Sequence, residues 1–386
     1  MGIRLGKICR FQSGGTPAKS NPEYFNGTIP WITTVSLNGA KICEDDAVEW
    51  ITEKAIKESA AKIVPAYSIM VGTRVGVGKV AVNTVPMSTS QDIISLLEID
   101  ETKWHKDFLC NFIQGKSAFL NSQARGATIK GIKIDVLSNL TLPDVTIEEQ
   151  IHISQVIDNV RSIIFDRQQE LEKLDELIKA RFVELFEEKK DEYEEYCLEE
   201  IADIVSGITK GRKTKLTDLR EVPYMAVSNV KDGYIDWTNV KTILATENEI
   251  NQYRLLPDDV LMTEGGDPDK VGRGSIIMNP PEDCIHQNHI FRVRLDESRI
   301  LPRYFSAYLQ SLKAKTYFLR AAKQTTGIAS INMKQLRRLP TIVPPIRKQM
   351  EYVSFSEQVD KSKVVVQKAL NEAQLLFDSL MQQYFG

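Results

Sequence analysis

Histidine is scarce in this chain, with four among 386 residues, which leaves little for metal ligation or general-base chemistry. Cysteine is nearly as sparse. Cys9, Cys43, Cys110, Cys197 and Cys284 stand far apart and never form a CxxC pair. An odd, scattered set predicts reduced, mostly buried thiols rather than a disulfide framework. No run is apolar and long enough to span a bilayer, and residues 1–7 lack the apolar core of a signal peptide, so a cytoplasmic protein with no membrane partner is expected. Met1-Gly2 does not make a myristoylation site, because position 6 is Gly6 and not Ser or Thr. Residues 72–79 are glycine-rich but lack the Gly-Lys-Ser/Thr of a phosphate-cradling loop. A tight turn between strands is expected there, with Arg74 and Lys79 available to phosphate. Charge of one sign is also lacking, since the net charge is −3.

What the chain does have is a second copy of itself. Val75-Gly76-Val77-Gly78 returns as Val271-Gly272-Arg273-Gly274, and Gln91-Asp92-Ile93-Ile94 returns as Gln287-Asn288-His289-Ile290 at the same offset. Arg125-Gly126-Ala127-Thr128-Ile129 is echoed by Thr326-Gly327-Ile328-Ala329-Ser330. Both copies reach an apolar, Pro-containing stretch, Leu140-Thr141-Leu142-Pro143 and Thr341-Ile342-Val343-Pro344-Pro345, just before a long helical pattern. A period of this length describes two related domains rather than a solenoid. The boundaries fall at 1–145 and 196–345 for the domains, 146–195 for a central helix with its linker, and 346–386 for a distal helix. Divided this way, the charge is +2, −8, +3 and 0 over residues 1–145, 146–195, 196–345 and 346–386. Both domains are mildly basic, which permits phosphate contact, and the acid sits on one helix.

The central helix carries a heptad seam of Ile157, Val160, Ile164, Leu171, Leu174, Ile178 and Leu185, with Arg167 and Arg181 in its two vacant positions. The distal helix carries Val366, Leu370, Ala373, Phe377, Leu380 and Tyr384. A seam needs a partner helix. Equivalent placement after each domain makes the other copy the economical partner, in an antiparallel intramolecular pair. The acidic run 187–195 is expected to end the first helix and serve as a solvated linker.

Within each domain, β-type runs (29–33, 80–82 and 93–99; 223–227 and 289–295) are followed by helical patterns at 106–120 and 302–321. An α+β class follows, with two similar domains of twisted, mainly antiparallel sheet. Polar glycine loops recur in both copies with different side chains. Gln and Asn suit adenine, Arg and Lys suit guanine, and Ser or Thr reach phosphate. Candidates in the first domain are Gln12, Ser13, Thr16, Lys19, Arg74, Gln123, Arg125, Thr128 and Lys130. In the second they are Lys210, Arg212, Lys213, Arg273, Gln324, Thr325, Asn332 and Lys334. Any one such loop taken alone is as readily a surface turn. Their recurrence on two related scaffolds points to two different sequences being read.

Catalytic signals are few. Asn279-Pro280-Pro281 has the form of the amine-holding tripeptide of amino-group DNA methyltransferases, but Glu282 follows where an aromatic should stack on a flipped base. It is expected to be a turn. His286 and His289 have HxxH spacing with no third ligand in sight, and counting by the repeat offset places Ser90 and Ile93 opposite them. No catalytic residue and no metal site are expected.

The architecture resembles the specificity subunit of type I restriction-modification enzymes, across the whole chain. Gly14-Gly15-Thr16-Pro17, Pro22-Glu23-Tyr24-Phe25 and Ile29-Pro30-Trp31 are similar to a recurrent opening of that family's target-recognition domains. Pro143 with Ile147-Glu148-Glu149-Gln150, and Pro344-Pro345-Ile346-Arg347-Lys348-Gln349, look like its domain-to-helix junctions, and His286-Gln287-Asn288-His289-Ile290-Phe291 is also similar to it. The resemblance implies that each domain reads one half of a bipartite, asymmetric site in double-stranded DNA. The helices would set the gap and dock two copies of an adenine-N6 modification subunit. S-adenosylmethionine, ATP and Mg would be used by the partners, including a restriction/translocase subunit, and this chain would hold no cofactor. A type IIB-like system would use the same recognition with a different cutting partner. A coiled-coil scaffold without sequence preference is the reading from another class.

Overall fold

The computed structural model describes residues 2–38, 41–126, 130–211, 218–266, 271–325 and 328–386. It divides into two units, Met1–Gln169 with Gln367–Gly386 and Glu170–Val366. Among the described residues no helix is long and apolar enough to cross a membrane, and Cys110 and Cys284 are buried while the other three thiols are partly so.

The first unit is built on a five-stranded sheet in the order Arg10–Ser13, Ile93–Leu97, Ile69–Gly72, Val80–Asn83, Lys41–Ile42. All pairings but the last are antiparallel. Its three central strands are buried at every residue, which explains their unbroken apolar runs: both faces are covered. Ile69, Val71, Val80, Val82, Ile94 and Leu96 pack with Phe108, Leu109 and Phe112 of the helix Lys106–Gly115. On the other face, Met70, Ala81, Ile93 and Leu97 pack with Ile32, Val64 and Met87, which belong to a second, four-stranded sheet built around Phe25–Ile32.

The second unit repeats this plan. Ala202–Ser206, Ile290–Leu295, Val260–Thr263 and Gly274–Ile276 form an antiparallel sheet. Val260, Met262, Phe291 and Val293 face the aromatic cluster of Tyr304, Phe305 and Tyr308, while Leu261 and Ile290 face Met225 and Ile277. Here the helical pattern at 302–321 breaks into Pro302–Tyr308 and Leu312–Ala321, and the first-unit pattern likewise breaks into Lys106–Gly115 and Ser117–Gln123. Three strand pairings run parallel among those described, so the sheets are mixed with an antiparallel majority.

Each unit takes part of both long helices, Ile147–Phe182 and Ile346–Phe385. Inside the first unit, Arg161 lies over the Phe377 ring at 5.6 Å, and Phe385 meets Phe108 at 5.4 Å. Inside the second, Lys363 pairs with Asp175 at 2.5 Å and Arg181 with Glu351 at 2.6 Å, while Phe182 meets Tyr352 at 5.4 Å. In the second unit the rising number on the central helix meets the falling number on the distal one, so the two helices run antiparallel there. Ile157, Val160, Leu185 and Val366 are buried and the remaining expected seam residues partly so.

One glutamine ties each helix to its own domain. Gln150 is buried; its Nε2 donates to the Lys103 and Val145 carbonyls at 3.1 and 3.3 Å, and its Oε1 accepts from the His105 amide at 2.9 Å. Gln349, also buried, donates to the Arg299 and Pro344 carbonyls at 2.9 and 2.7 Å and accepts from the Leu301 amide at 2.8 Å. The two Pro-to-Gln junction motifs are thus a pair of fully satisfied buried amides.

The stretch after the central helix departs from the expected linker. A π turn over Val183–Glu187 re-aims the chain so that Phe182, Leu185 and Phe186 all enter the core around Tyr304. The acidic run then becomes structured early, because Glu194–Cys197 forms a strand antiparallel to Pro340–Val343. Ladder hydrogen bonds use backbone only, so Glu194 and Glu195 can sit in an edge strand with their carboxylates exposed.

Candidate nucleic-acid interface

Three backbone hydrogen bonds build the same frame in each unit. The Gly72 amide donates to the Lys79 carbonyl at 2.8 Å, Thr73 to Asp92 at 2.8 Å and Ile132 to Thr73 at 2.8 Å. Their counterparts run from Thr263 to Arg273 at 3.1 Å, Glu264 to His289 at 3.0 Å and Ile331 to Glu264 at 2.8 Å. Each frame joins a glycine turn, the start of a central strand and a hairpin arriving from the helical side.

In the first unit this gathers Arg74, Arg125 and Lys130. Arg125 and Gly131 exchange both backbone hydrogen bonds, at 2.9 and 3.0 Å. A Cβ on Gly131 would fall 2.8 Å from Arg74 Cγ, so glycine lets the hairpin close on the arginine. Arg74, about half exposed, lies 3.6 Å from Asp92. Gln123 ends the helix Ser117–Gln123 with its side chain exposed. Thr128 lies outside the described residues. The expected turn over residues 72–79 is present, with Gly76 and Gly78 at φ +78° and +84°.

The loop at 12–19 has mainly a scaffolding job. Gln12 Nε2 donates to the Ile63 carbonyl at 2.9 Å. A Cβ on Gly14 would lie 2.2 Å from the Ser90 carbonyl oxygen, and one on Gly15 2.1 Å from that of Ala60. The Trp31 indole donates to the Gly15 carbonyl at 3.1 Å. These approaches account for the glycines and the tryptophan of the recurrent opening motif. Ser13 is exposed, Thr16 partly buried, and Lys19 exposed with Glu49 at 3.6 Å.

In the second unit the frame holds Arg273, whose Nε is buried without a partner. Gly272 beside it has φ +74°, and a Cβ there would fall 2.2 Å from the Phe318 ring. Lys210 is exposed; Arg212 and Lys213 lie outside the described residues. Gln324 and Thr325 fall on the strand Lys323–Thr325, opposite Ala329 and Ile328. Asn332 caps the helix Met333–Arg337: its Oδ1 accepts from the Gln335 amide at 3.0 Å, and Gln335 Oε1 accepts from its own amide at 2.8 Å. Lys334 is exposed on that helix.

The pairing corrects the alignment of the two copies. Counted by sequence offset, His286 and His289 fall opposite Ser90 and Ile93. In the sheets, Ile290 faces Thr263 as Ile93 faces Gly72, which puts His289 opposite Asp92 and His286 opposite Thr89. The same match appears at the glycines, since a Cβ on Gly14 would meet Thr89 Oγ1 at 2.3 Å and one on Gly207 would meet His286 Nδ1 at 2.4 Å. His286 is fully buried, with neither ring nitrogen partnered. Burial first, and then the charge of Arg292, pull its pKa from 6.5 to about 3. Arg292 itself is held by Asp203 at 2.6 Å, and Arg294 by Asp259 at 2.7 Å. Asn279 lies exposed on a bend just before the turn that the Cys284 amide closes onto the Pro281 carbonyl at 3.1 Å. Among the described residues no group of three or more His, Cys, Asp or Glu could hold a metal ion.

Sequence reasoning passed over Asp92, Glu264, Asn288 and His289 as members of this frame. The signal was there in the repeated Gln91-Asp92 and Gln287-Asn288-His289, but without the register it marked only a repeat.

The family model described as Type I restriction modification DNA specificity domain matches the chain twice, over residues 2–175 and 190–374. The chain is similar to the Type I restriction enzyme EcoKI specificity subunit of Escherichia coli (strain K12), 22% identical over 378 residues that cover 92% of this chain and 80% of that protein. It is 28% identical over 245 residues to the Type I restriction enzyme MjaIX specificity subunit of Methanocaldococcus jannaschii, covering 62% of this chain and 55% of that one. Two solved structures share its fold at 15% identity. The S subunit of a type I restriction-modification system from M. genitalium gives a TM-score of 0.52, covering 100% of this chain and 96% of that one. A chain from a study of complex assembly and conformational transition of the type I R-M system gives 0.64, covering 100% and 97%.

Proposed function

Since the chain belongs to the type I restriction modification DNA specificity domain family over nearly all of its length, we propose that it is the non-catalytic DNA-recognition subunit of a type I restriction-modification complex. Each unit reads one half of a bipartite, asymmetric site in double-stranded DNA. The observation that carries this is the duplicated frame: equivalent backbone rungs hold Arg74, Arg125 and Lys130 in one unit and Arg273 with the paired strands Lys323–Thr325 and Ile328–Ser330 in the other. One scaffold with two side-chain sets suits an asymmetric site, as a true two-fold dimer suits a palindrome. The helices, 36 and 40 residues long, set the gap of unread bases and dock two copies of the modification subunit. Those partners bind S-adenosylmethionine and methylate adenine N6, and a restriction/translocase subunit uses ATP and Mg. The complex works in the cytoplasm.

Small charge excesses on the two domains mean that phosphate contact is shared with the partners. Alone, the chain should bind DNA weakly, and the modification subunit should strengthen binding strongly; equal affinity with and without it would count against this reading. The decisive experiment co-expresses the two proteins and maps N6-methyladenine across the host genome by single-molecule sequencing. One motif of two unlike half-sites at a fixed gap, lost when this chain is omitted, is the expected result. A soluble, associated pair that methylates no such motif overturns the proposal.

A further inference from the structure

Both frames carry an acid beside the equivalent rung, on opposite sides of it: Asp92 at the strand start in the first unit and Glu264 on the turn side in the second. In the first unit the cation, Arg74, belongs to the turn side and the acid, Asp92, to the strand start. In the second, the turn side supplies the acid, Glu264, and the strand start supplies His289, with Nδ1 at 2.5 Å from Glu264 Oε2. The His289 side chain is 56% exposed, against 0% for the whole of His286, so this imidazole faces solvent. A carboxylate only accepts hydrogen bonds, so the contact places a proton on Nδ1, and in the tautomer it selects Nε2 is left as an acceptor. Asn288 Nδ2 lies 3.5 Å from that Nε2. The backbone beneath both residues is pinned: the Asn288 amide donates to the Ile208 carbonyl at 3.0 Å, and its carbonyl accepts from Ser206 Oγ at 2.6 Å.

We propose that His289, oriented by Glu264 and flanked by Asn288, reads one base of the half-site recognised by the second unit, accepting a hydrogen bond from an exocyclic amino group. In the major groove that group is adenine N6 or cytosine N4, and an adjacent amide is the side chain that suits adenine's N6/N7 edge. Glu264 is a positioning residue: it sets the tautomer and the ring direction. Arg74 offers only donors and suits guanine, whereas an acid-held histidine offers an acceptor, so the two frames present different groups to base edges.

This inference rests on the DNA-recognition reading, and the test separates the two. The full complex of this chain with its modification subunit is given a DNA library randomised through both half-sites, and methylation is scored at each position. His289→Ala should relax selectivity about tenfold at a single base pair of one half-site and leave the other half-site unchanged. Whether preference is lost at an A or a C position identifies the amino group. Glu264→Gln should relax the same base pair by a smaller factor; a merely structural Glu264 would lower methylation of all sequences alike. Because His289 is exposed and Glu264 partly so, a melting curve matching the wild type serves as the folding control. Wild-type base preferences in His289→Ala, in a complex that still methylates a bipartite motif, overturn this inference and leave the DNA-recognition reading standing. Absence of any bipartite motif with the wild-type complex overturns both.

Discussion

Gln150 and Gln349 do the same work in the two units, whereas Arg161 and Arg303 do opposite work. The glutamines each make two hydrogen bonds to the loop leading into Lys106–Gly115 or Pro302–Tyr308 and a third to the junction just before their own helix. A few residues further along, the first unit places its cation on the long helix: Arg161 reaches Asn111 at 2.9 Å, Gln114 at 3.2 Å and Asp158 at 2.7 Å. The second places it on the domain: Arg303 of Pro302–Tyr308 reaches Asp360 at 3.2 Å and Glu357 at 3.5 Å, both on the distal helix. Taken with the Arg74–Asp92 and Glu264–His289 rungs, this shows what a duplicated fold conserves internally and what it exchanges. Buried amides facing backbone carbonyls have one workable geometry, because an unpaired polar group there is expensive. A partly exposed arginine can be supplied from either side of the contact, because such contacts contribute little to stability.

The equivalence of the glutamines is the easiest part to break. Gln349→Ala strands the Leu301 amide and two buried carbonyls and should cost about 2–4 kcal/mol, seen as a lowered urea midpoint with faster amide exchange in the second unit only. Gln150→Ala should cost as much in the first unit. Very unequal costs would mean that the two junctions are alike in geometry alone.

The second difference is in acid response. His286 holds a folded-state pKa of about 3 against an ordinary 6.5, so between those values the unfolded chain binds a proton that the folded chain does not. Stability of the second unit should therefore fall as pH drops through that window, by about 1.4 kcal/mol per pH unit at its steepest. Thr89 stands in the equivalent place in the first unit and contributes no such slope. Unfolding followed against pH should show the slope flatten in His286→Thr; an unchanged slope would assign it to other groups.

The smallest effect concerns the traded charges. Arg303→Ala should cost about 0.5–1 kcal/mol, since the side chain is partly exposed. Arg303→Glu should cost more, because it faces Glu357 and Asp360. Added salt should shrink the Arg303 effects and leave that of Gln349→Ala unchanged, which separates the charged contact from the buried amide by one titration.

Much of this molecule can be read along the chain. The repeated glycine segment marks both turns, the heptads mark both long helices, and the two Pro-to-Gln motifs mark where domain gives way to helix. These signals are local, carried by periodicities that a short window contains. The π turn at Val183–Glu187 is not legible, because heptad spacing singles out Leu185 while the core takes Phe182 and Phe186 as well. The strand Glu194–Cys197 is hidden for a related reason: its partner Pro340–Val343 lies far along the chain, and an acidic edge strand has no apolar alternation to reveal it.

Sequence by itself determined the number of domains, the class of each and the two long helices, because burial of periodic apolar faces leaves few alternatives. Only the tertiary structure decided which polar groups meet. A shift of one residue in strand register turns every side chain to the opposite face, and counting by repeat offset was off by that one residue at His289. Glu264 and His289 are 25 positions apart and meet through the register of the two strands that flank them, Val260–Thr263 and Ile290–Leu295. That pairing had no local signature to read.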